Sequence, residues 1–592
     1  MPVHTTAQPI LVLKLCYVFR FGYQKLISYF WRMDNYQIAD SFSLLAKLLD
    51  IHGENSFKSK SYAAAAFAIE KSPLQLSEIP VEKISSLKGI GASSAQKIIE
   101  LLHTGHLKTL DEIILNTPHG VMEMLNIKGI GPKKINTIWK EMEIETIGEL
   151  LYACKENRLK IYKGFGEKTQ QSVSDNIEFY LKSKGSFLYS QVHAIAPTIL
   201  QLFTQLFVLK RVAISGHYKR QSEIINELEF VIETDANTIE NSLQDYEGFS
   251  LLEKENDRLL FDSSAGIKIK IHTADPDSFI HTLISTSSSA EFNDALEKQY
   301  PGMAVQKADT EEDYFAAIGL CLIPSSLREN ASIIARATNA LIPPLIKPSD
   351  IRGIIHCHSN WSDGSNTIEE MALAAITTGL EYMVISDHSK SAFYAQGLNE
   401  QKIREQHLYI EELNKKLTPF KIFKSIESDI LNDGSLDYSN EVLATFDLVI
   451  ASVHSNLKMG QEKAMMRLLR AIENPYTTIL GHMTGRLLLS RPGYPVDHDA
   501  IIEACITNDV VIELNAHPNR LDIDWRHIQS AIEKNVLISI DPDAHFTDGL
   551  DDTKYGVMIA QKAMVTKENN LSSYSLYAFE QFIASRKLKK NI

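Results

Sequence analysis

Gly353-Ile-Ile-His-Cys-His358 puts two histidines two positions apart at the end of an apolar run. Side chains alternate along a strand, so His356 and His358 are expected on one face and Cys357 on the other, turned into packing. Asp363 follows five residues later in Trp361-Ser-Asp-Gly364. Working outward, the same plan recurs. Polar ends close the apolar runs Val384-Ile-Ser-Asp-His388, Lys424-Ser-Ile-Glu427, Val449-Ile-Ala-Ser-Val-His454, Thr478-Ile-Leu-Gly-His482 and Ile538-Ser-Ile-Asp-Pro-Asp-Ala-His545. Helical periodicity fills the gaps at Ile368–Thr378, Lys402–Leu413 and Ala500–Thr507. Strands alternating with helices, with polar residues at the C-terminal strand ends, predict an α/β barrel with its site at that face.

One histidine at a strand end is ordinarily a hydrogen-bonded structural residue. Six of them with three carboxylates, at equivalent points of a repeated unit, predict metal ligation. Neutral imidazole with carboxylate suits Zn2+, Mn2+ or Fe2+, and the set is too large for a single ion. Two or three divalent ions sharing a carboxylate would generate hydroxide near neutral pH and clamp the oxygens of a phosphoryl displacement. The region from about residue 350 onward is therefore expected to be a metal-dependent phosphoesterase. Its reacting hydroxide is expected beside His356, His358, Asp363 and Glu427.

The remainder of the 592 residues is too long to share that one core, so further domains are expected. Five cysteines without a C-x-x-C pair exclude a disulfide framework and a thiolate zinc finger, and fit a reducing cytoplasm. The net charge of −14 does not itself favour nucleic acid, because an acidic metal domain masks a basic one. Residues 9–31 are apolar but interrupted by Lys14, Arg20 and Lys25. They read as an extension upstream of a start at Met33, with an interfacial amphipathic segment as the alternative and no membrane span. Three glycine hairpins follow: Lys88-Gly-Ile-Gly91, Lys128-Gly-Ile-Gly131 and Lys163-Gly-Phe-Gly166. Each lies between helices, so the backbone N–H groups that open the second helix can meet a DNA phosphate. Gly89, Gly91, Gly129, Gly131, Gly164 and Gly166 are the expected contacts, with Lys97, Lys133 and Lys134 on the following helices. Beyond residue 186, strands are expected at Val208–Ser215, Glu227–Glu233 and Ile267–Thr273. The Pro-rich segment Leu341-Ile-Pro-Pro-Leu-Ile-Lys-Pro348 then separates all of this from the last domain.

The His-x-His, Ser-Asp-His, Ile-Glu and Asp-x-His pattern resembles the polymerase-and-histidinol-phosphatase (PHP) domain. That resemblance implies a distorted seven-stranded barrel and a trinuclear site on His356, His358, Asp363, His388, Glu427, His454, His482, Asp543 and His545. From Met33 on, the chain resembles bacterial family X DNA polymerases. The resemblance is carried by Gly53-Glu-Asn55 with Phe57, the hairpins, Gly216-His-Tyr-Lys-Arg220, Thr310-Glu-Glu312 and Ile351-Arg-Gly353. It implies a multidomain α/β protein. An N-terminal extension (1–32) precedes two helical helix–hairpin–helix domains: an 8-kDa-like one (33–115) and a fingers-like one (116–185). A mixed α+β nucleotidyltransferase-like palm (186–265), the palm end with a thumb-like domain (266–345) and a (β/α)7 PHP barrel (350–592) complete it.

In that family the palm holds two Mg2+ on three aspartates. Here those positions read Glu227, Glu229 and Lys270. Each glutamate reaches one methylene too far, and a lysine brings positive charge where a metal needs negative; it is expected to pair with Glu229. The nucleotide-binding positions also depart, reading Gly216-His217, Thr286-Ser-Ser-Ser289 and Glu297. Lys97 aligns with the family's Schiff-base lysine of 5′-deoxyribose-phosphate removal, and Lys58 with a nearby phosphate contact. An exposed helix lysine after a hairpin is more often a phosphate contact than a nucleophile.

The expectation is a DNA end-processing 3′–5′ exonuclease or phosphodiesterase working through the PHP site. A synthesis-inactive palm would serve as scaffold, with Mg2+ or K+ as further ions elsewhere. Its partner would be double-stranded DNA with nicks, gaps or primer termini, bound by a cytoplasmic monomer. Arg486, Arg491 and Arg520 are candidate phosphate clamps, with surface ion pairs as the alternative. Two rivals stand: a gap-filling polymerase that tolerates the altered triad, and a non-catalytic DNA-binding scaffold. A small-molecule phosphatase would leave the hairpins unexplained.

Overall fold

The computed structural model describes residues 33–155, 159–183, 185–244, 246–302, 307–392, 395–489 and 492–592. The segment 1–32 and Arg491 lie outside the described residues. The chain divides into two compact units, the second being Gly185–Ile592.

The first unit is helical. Its opening helix, Asn35–Ile51, starts from an Asp34 capping box with Gln37, and buries Ile38, Phe42, Leu45 and Leu49 on one stripe. Ser56–Glu70 packs along it, with Tyr62 meeting Phe42 edge-on at 5.9 Å. The hairpins share one backbone solution: Gly89, Gly129 and Gly164 have φ of 87°, 90° and 92°. A side chain there would strain the turn, which is why glycine recurs at each. Asn176, from the helix after the third hairpin, donates to Lys128 O at 3.0 Å, and Asn136, after the second, donates to Ile51 O at 2.8 Å. The second and third hairpins are thus tied to each other and, through Asn136, to the first helix.

The second unit holds two sheets. The first comprises β1 (Val212–Ser215), β2 (Glu227–Ile232), β3 (Phe249–Lys254), β4 (Arg258–Ser263) and β5 (Lys268–Thr273), in spatial order β1-β2-β5-β4-β3. Only β2 and β5 run parallel. The expected strand at Val208–Ser215 begins only at Val212, because Leu209 turns the chain with φ 69°. β3 and β4 escaped the sequence reading. β3 is an edge strand solvated on both faces, so its apolar residues show no alternation. Behind this sheet Arg328, with no exposed surface, pairs with Glu311 and donates through Nε to Ile323 O at 2.8 Å. Glu311 also takes Lys219, so Thr310-Glu-Glu312 and Gly216-His-Tyr-Lys-Arg220 meet in a buried ion network.

The second sheet is a barrel of seven parallel strands: β6 (Gly353–Cys357), β7 (Tyr382–Ile385), β8 (Lys421–Asp429), β9 (Leu448–Ser452), β10 (Thr477–Leu480), β11 (Val511–Asn515) and β12 (Ile538–Asp541). They lie in consecutive order, and a parallel bridge between Cys357 and Ala544 brings β12 back to β6, with His358 N donating to Ala544 O at 2.8 Å. Helices Ile368–Thr377, Glu400–Leu417, Gln461–Glu473 and His498–Thr507 cross over between strands. β11 is an addition to the expected strands: Glu513 lies inside its apolar run, before Leu514, so no histidine or carboxylate closes the run. Cys357 is buried in the apolar core, its thiol against Val384 O at 3.3 Å.

Arg328→Ala is expected to leave Glu311 half-paired in a buried site. A loss of roughly 3–5 kcal/mol should appear as a lower urea midpoint for the second unit in tryptophan fluorescence.

Candidate metal centre and nucleic-acid interface

Plain alternation does not bring His356 and His358 together. A register shift between Ile354 and Cys357 forms a bulge in which His356 takes φ 62°, and His358 follows just past the strand end. Asp543 is left-handed too, at φ 53°. Side chains rarely tolerate this backbone; at His356 the bulge re-aims the side chain into the barrel mouth, and Asp543 lies two residues past the end of β12.

All nine expected ligand residues converge there. Glu427, at the end of β8 and fully buried, is the hub. His388 Nδ1 lies 2.9 Å from its Oε2, while His454 Nε2 and His482 Nε2 lie 3.1 and 2.9 Å from its Oε1. His358 Nε2 is 3.0 Å from Asp543 Oδ1. Asp363 faces His388 Nε2 at 3.5 Å and His545 Nε2 at 3.4 Å. The donor atoms form four overlapping groups: His358, Asp363, His388, His545; His356, His358, Asp543; His356, Glu427, His482; and His388, Glu427, His454. Within each group every ligand atom is within 4.8 Å of the others.

These residues fit divalent cations. His356 Nε2 lies 3.3 Å from Glu427 Oε1 and 3.5 Å from Asp543 Oδ1 yet hydrogen-bonds to neither, and the buried His358 Nδ1, 4.0 Å from Asp363 Oδ1, also finds no hydrogen-bond partner among the described residues. Charge points the same way. Burial opposes protonation of His454, but Glu427 and Asp429 overcome it and push its pKa up to about 10. His545 reaches about 9, burial again being outweighed by Asp363 and Asp543. His358 instead falls to about 3, through burial and the neighbouring His545 and His388. The carboxylates thus draw positive charge into a pocket that disfavours it, a demand cations satisfy.

Three carboxylates missed in the sequence orient these ligands. Glu513 Oε2 accepts from His356 Nδ1 at 2.5 Å, which turns Nε2 to the centre, and its Oε1 accepts from His482 N at 3.0 Å. Asp429 holds His454 Nδ1 at 2.8 Å. Asp387 accepts from Ser359 N, the Ser359 and Ser362 hydroxyls and Gln406 Nε2, pinning the loop that carries Asp363. Glu427-Ser-Asp429 and Asp387-His388 carried a signal, since each carboxylate neighbours a ligand. Glu513 carried none, lying far from any ligand in sequence.

Of the candidate clamps, Arg520 Nε lies 3.6 Å from Asp543 Oδ2 at the edge of the centre. Arg486 is not a free clamp: its guanidinium is taken by Glu223, Asp524 and the carbonyls of Arg520 and Leu521. An arginine just after a ligand looks the same in sequence whether it faces substrate or a neighbouring body.

In the first sheet, Lys270 pairs with Glu227 and not with Glu229 as expected. His272 Nε2 occupies Glu229 at 3.0 Å, leaving the lysine to reach along the strand. Burial opposes ionisation of Glu229, but His272 and Lys270 hold it below the usual carboxylate range. Its carboxylate also packs where a side chain on Gly216 would stand. Ser289 caps the helix Ala290–Gln299, Ser288 bonds Ile284 O, and Glu297 accepts from Gly302 N at 3.2 Å.

In the first unit, Gly89, Gly91, Gly129, Gly131, Gly164 and Gly166 are exposed. Gly91 and Gly131 begin helices Ala92–Thr104 and Pro132–Lys140 with no side-chain cap, so the first-turn N–H groups face outward. Lys133 is exposed on the first turn, and Lys134 reaches back to Gly129 O at 3.3 Å. Lys97 is half-buried, its Nζ donating to Thr109 Oγ1 at 2.7 Å beside the Tyr62 ring; Lys58 opens the helix Ser56–Glu70.

Glycine hairpins with uncapped helix starts, and a seven-stranded parallel barrel with converging His and carboxylate ligands, define a helix–hairpin–helix protein carrying a PHP domain. Comparison agrees: residues 33–107 match a helix–hairpin–helix domain, 121–175 a SAM-like helix–hairpin–helix tandem, and 355–517 the PHP domain. The chain is 31% identical over 560 residues to the DNA polymerase/3′-5′ exonuclease PolX of Bacillus subtilis, covering 91% of this chain and 97% of that protein. It therefore belongs to the PolX family of family X DNA polymerases with a C-terminal PHP domain. A probable phosphatase of Caldanaerobacter subterraneus is 28% identical over 169 residues, 27% of this chain and 60% of that protein. Another, of Thermoanaerobacter pseudethanolicus, is 24% identical over 249 residues, 40% of this chain and 95% of its own length. Family and domains support DNA binding and an enzyme with phosphoesterase or exonuclease activity. Among the described residues no helix is long and apolar enough to cross a membrane.

Two outcomes follow from this geometry. Titrating the metal-free protein with Mn2+ at pH 7 in weak buffer should release protons, because His454 and His545 are charged there until a cation replaces the proton. Calorimetry should then find affinity falling as pH drops. Gly129→Val should weaken DNA binding by about tenfold, from about 1–2 kcal/mol of left-handed strain, with Mn2+ uptake unchanged.

Proposed function

We propose that this chain processes DNA 3′ ends, its PHP centre hydrolysing the terminal phosphodiester as a 3′–5′ exonuclease while the palm-like sheet holds DNA without synthesis. The convergence of all nine predicted ligands around the buried Glu427 carries this reading. Bound divalent cations would supply Lewis acidity toward the phosphodiester and acidify a water. The same chemistry suits a 3′-phosphate or abasic end. His356, His358, Asp543 and Glu427 would hold one part of the metal cluster, Asp363, His388 and His545 another, with His454 and His482 completing it through Glu427. Arg520 stands where it can orient a phosphate oxygen as water adds to phosphorus and the penultimate 3′ oxygen leaves with a proton.

Two observations support a palm without synthesis. Lys270 and His272 occupy Glu227 and Glu229 where metal ions would stand, and Ser288, Ser289 and Glu297 are spent on local backbone contacts. The hairpins would grip the phosphates of a nicked, gapped or primer-terminal duplex. Lys97, tied to Thr109 on a hairpin helix, is read as a phosphate contact and not as a lyase nucleophile.

A 5′-labelled primer–template with Mn2+, with and without dNTPs, tests the reading. Shortening alone, abolished by His356→Ala, is the expected outcome. Extension would show that the palm still polymerises, and an unchanged primer would leave a DNA-binding scaffold.

A further inference from the structure

The palm-like body and the barrel share one compact unit, and residues 220–223 of the palm make polar contacts with the barrel. Residues 220–223 follow the short helix Gly216–Lys219 and precede β2. Arg220 O accepts from Lys562 Nζ at 2.8 Å, and Gln221 Nε2 donates to Gln561 Oε1 at 3.0 Å. Glu223 pairs with Arg486; their side chains are only 11% and 14% exposed.

Arg486 is more than a docking contact. It stands four residues after His482, and Nε donates to Arg520 O at 2.9 Å, Nη1 to Asp524 Oδ2 at 2.8 Å, and Nη2 to both Leu521 O and Glu223. One guanidinium therefore staples the loop carrying ligand His482 to the loop carrying Arg520. Asp522, inside the stapled loop, accepts from both N and Oγ1 of Thr484 at 2.9 Å, and Leu488 N donates to Asn519 O at 2.7 Å. Asp524 faces two arginines, Arg486 and Arg526. The second carboxylate against Arg486 comes from the palm.

We propose that Glu223 is a positioning residue of the metal centre: by fixing Arg486 it sets the two loops that present His482 and Arg520. The palm then acts in hydrolysis through its barrel-facing strip, whatever its nucleotide site does. This rests on reading the barrel mouth as the hydrolytic site.

The test uses the full chain, with bis(p-nitrophenyl) phosphate as a substrate that needs no hairpin. Calorimetric Mn2+ affinity, duplex binding and melting temperature are followed alongside. Glu223→Ala should lower kcat and Mn2+ affinity each by about tenfold, with duplex binding little changed and a lower melting temperature, because it leaves the buried Arg486 half-paired. Glu223→Gln, which keeps an acceptor, should lose less. Gln221→Ala, which cuts a neighbouring contact without touching Arg486, should match the parent. Glu223→Ala within twofold of the parent in both kcat and Mn2+ affinity would overturn the proposal. So would equal losses in Gln221→Ala, which would mark general interface loosening. If the parent hydrolyses neither bis(p-nitrophenyl) phosphate nor the labelled primer, the exonuclease reading fails, and Mn2+ affinity alone decides the role of Glu223.

Discussion

A carboxylate sealed inside a barrel cannot stay charged without positive partners, and Glu427 is such a group. Its two oxygens meet imidazoles delivered by three other segments of the barrel, His388, His454 and His482. The strain at His356 and Asp543, the supporting carboxylates and the closure of β12 onto β6 all act to bring ligands to it. Glu513 shows the dependence clearly: it holds His356 with one oxygen and the His482 backbone with the other, so one side chain from β11 sets ligands from two strands.

The palm-like sheet has met a similar requirement by other means. Side-by-side carboxylates repel, and cations commonly relieve them. Here Lys270 and His272 are built into the neighbouring strand and take Glu227 and Glu229 one each. Glu229 then lies over Gly216 and fills the space beside the short helix. The family relation to PolX explains why this scaffold is present, and its internal ion pairs give Glu227 and Glu229 basic partners within the sheet.

Legibility followed the range of each interaction. Histidine at five strand ends and Glu427 at a sixth exposed six of the seven barrel strands, because each carried a local sign: an apolar run and a polar terminus. β11 had the run with its carboxylate inside it and not at its end, so it carried no such sign, and Glu513 went with it. The hairpins were legible because a left-handed turn admits little besides glycine, so Gly89, Gly129 and Gly164 repeat visibly. Strand β3 was not, since an edge solvated on both faces has no pattern to impose. Lys270 was rightly placed beside the altered carboxylates but assigned to Glu229, because its preference for Glu227 depends on His272 two residues away on the same strand.

The sequence by itself determined the ligand inventory, the parallel α/β plan of the last domain and the helix–hairpin–helix character of the first unit. Each follows from periodicity or from residue chemistry within a few positions. Tertiary structure decided what each charge faces. Arg486 and Arg520 look alike beside ligand-bearing runs, yet one is enclosed by Glu223 and Asp524 and the other stands beside Asp543. Ion pairs form between side chains brought close by packing, over separations such as that from residue 223 to 486, and no local pattern encodes which partner arrives.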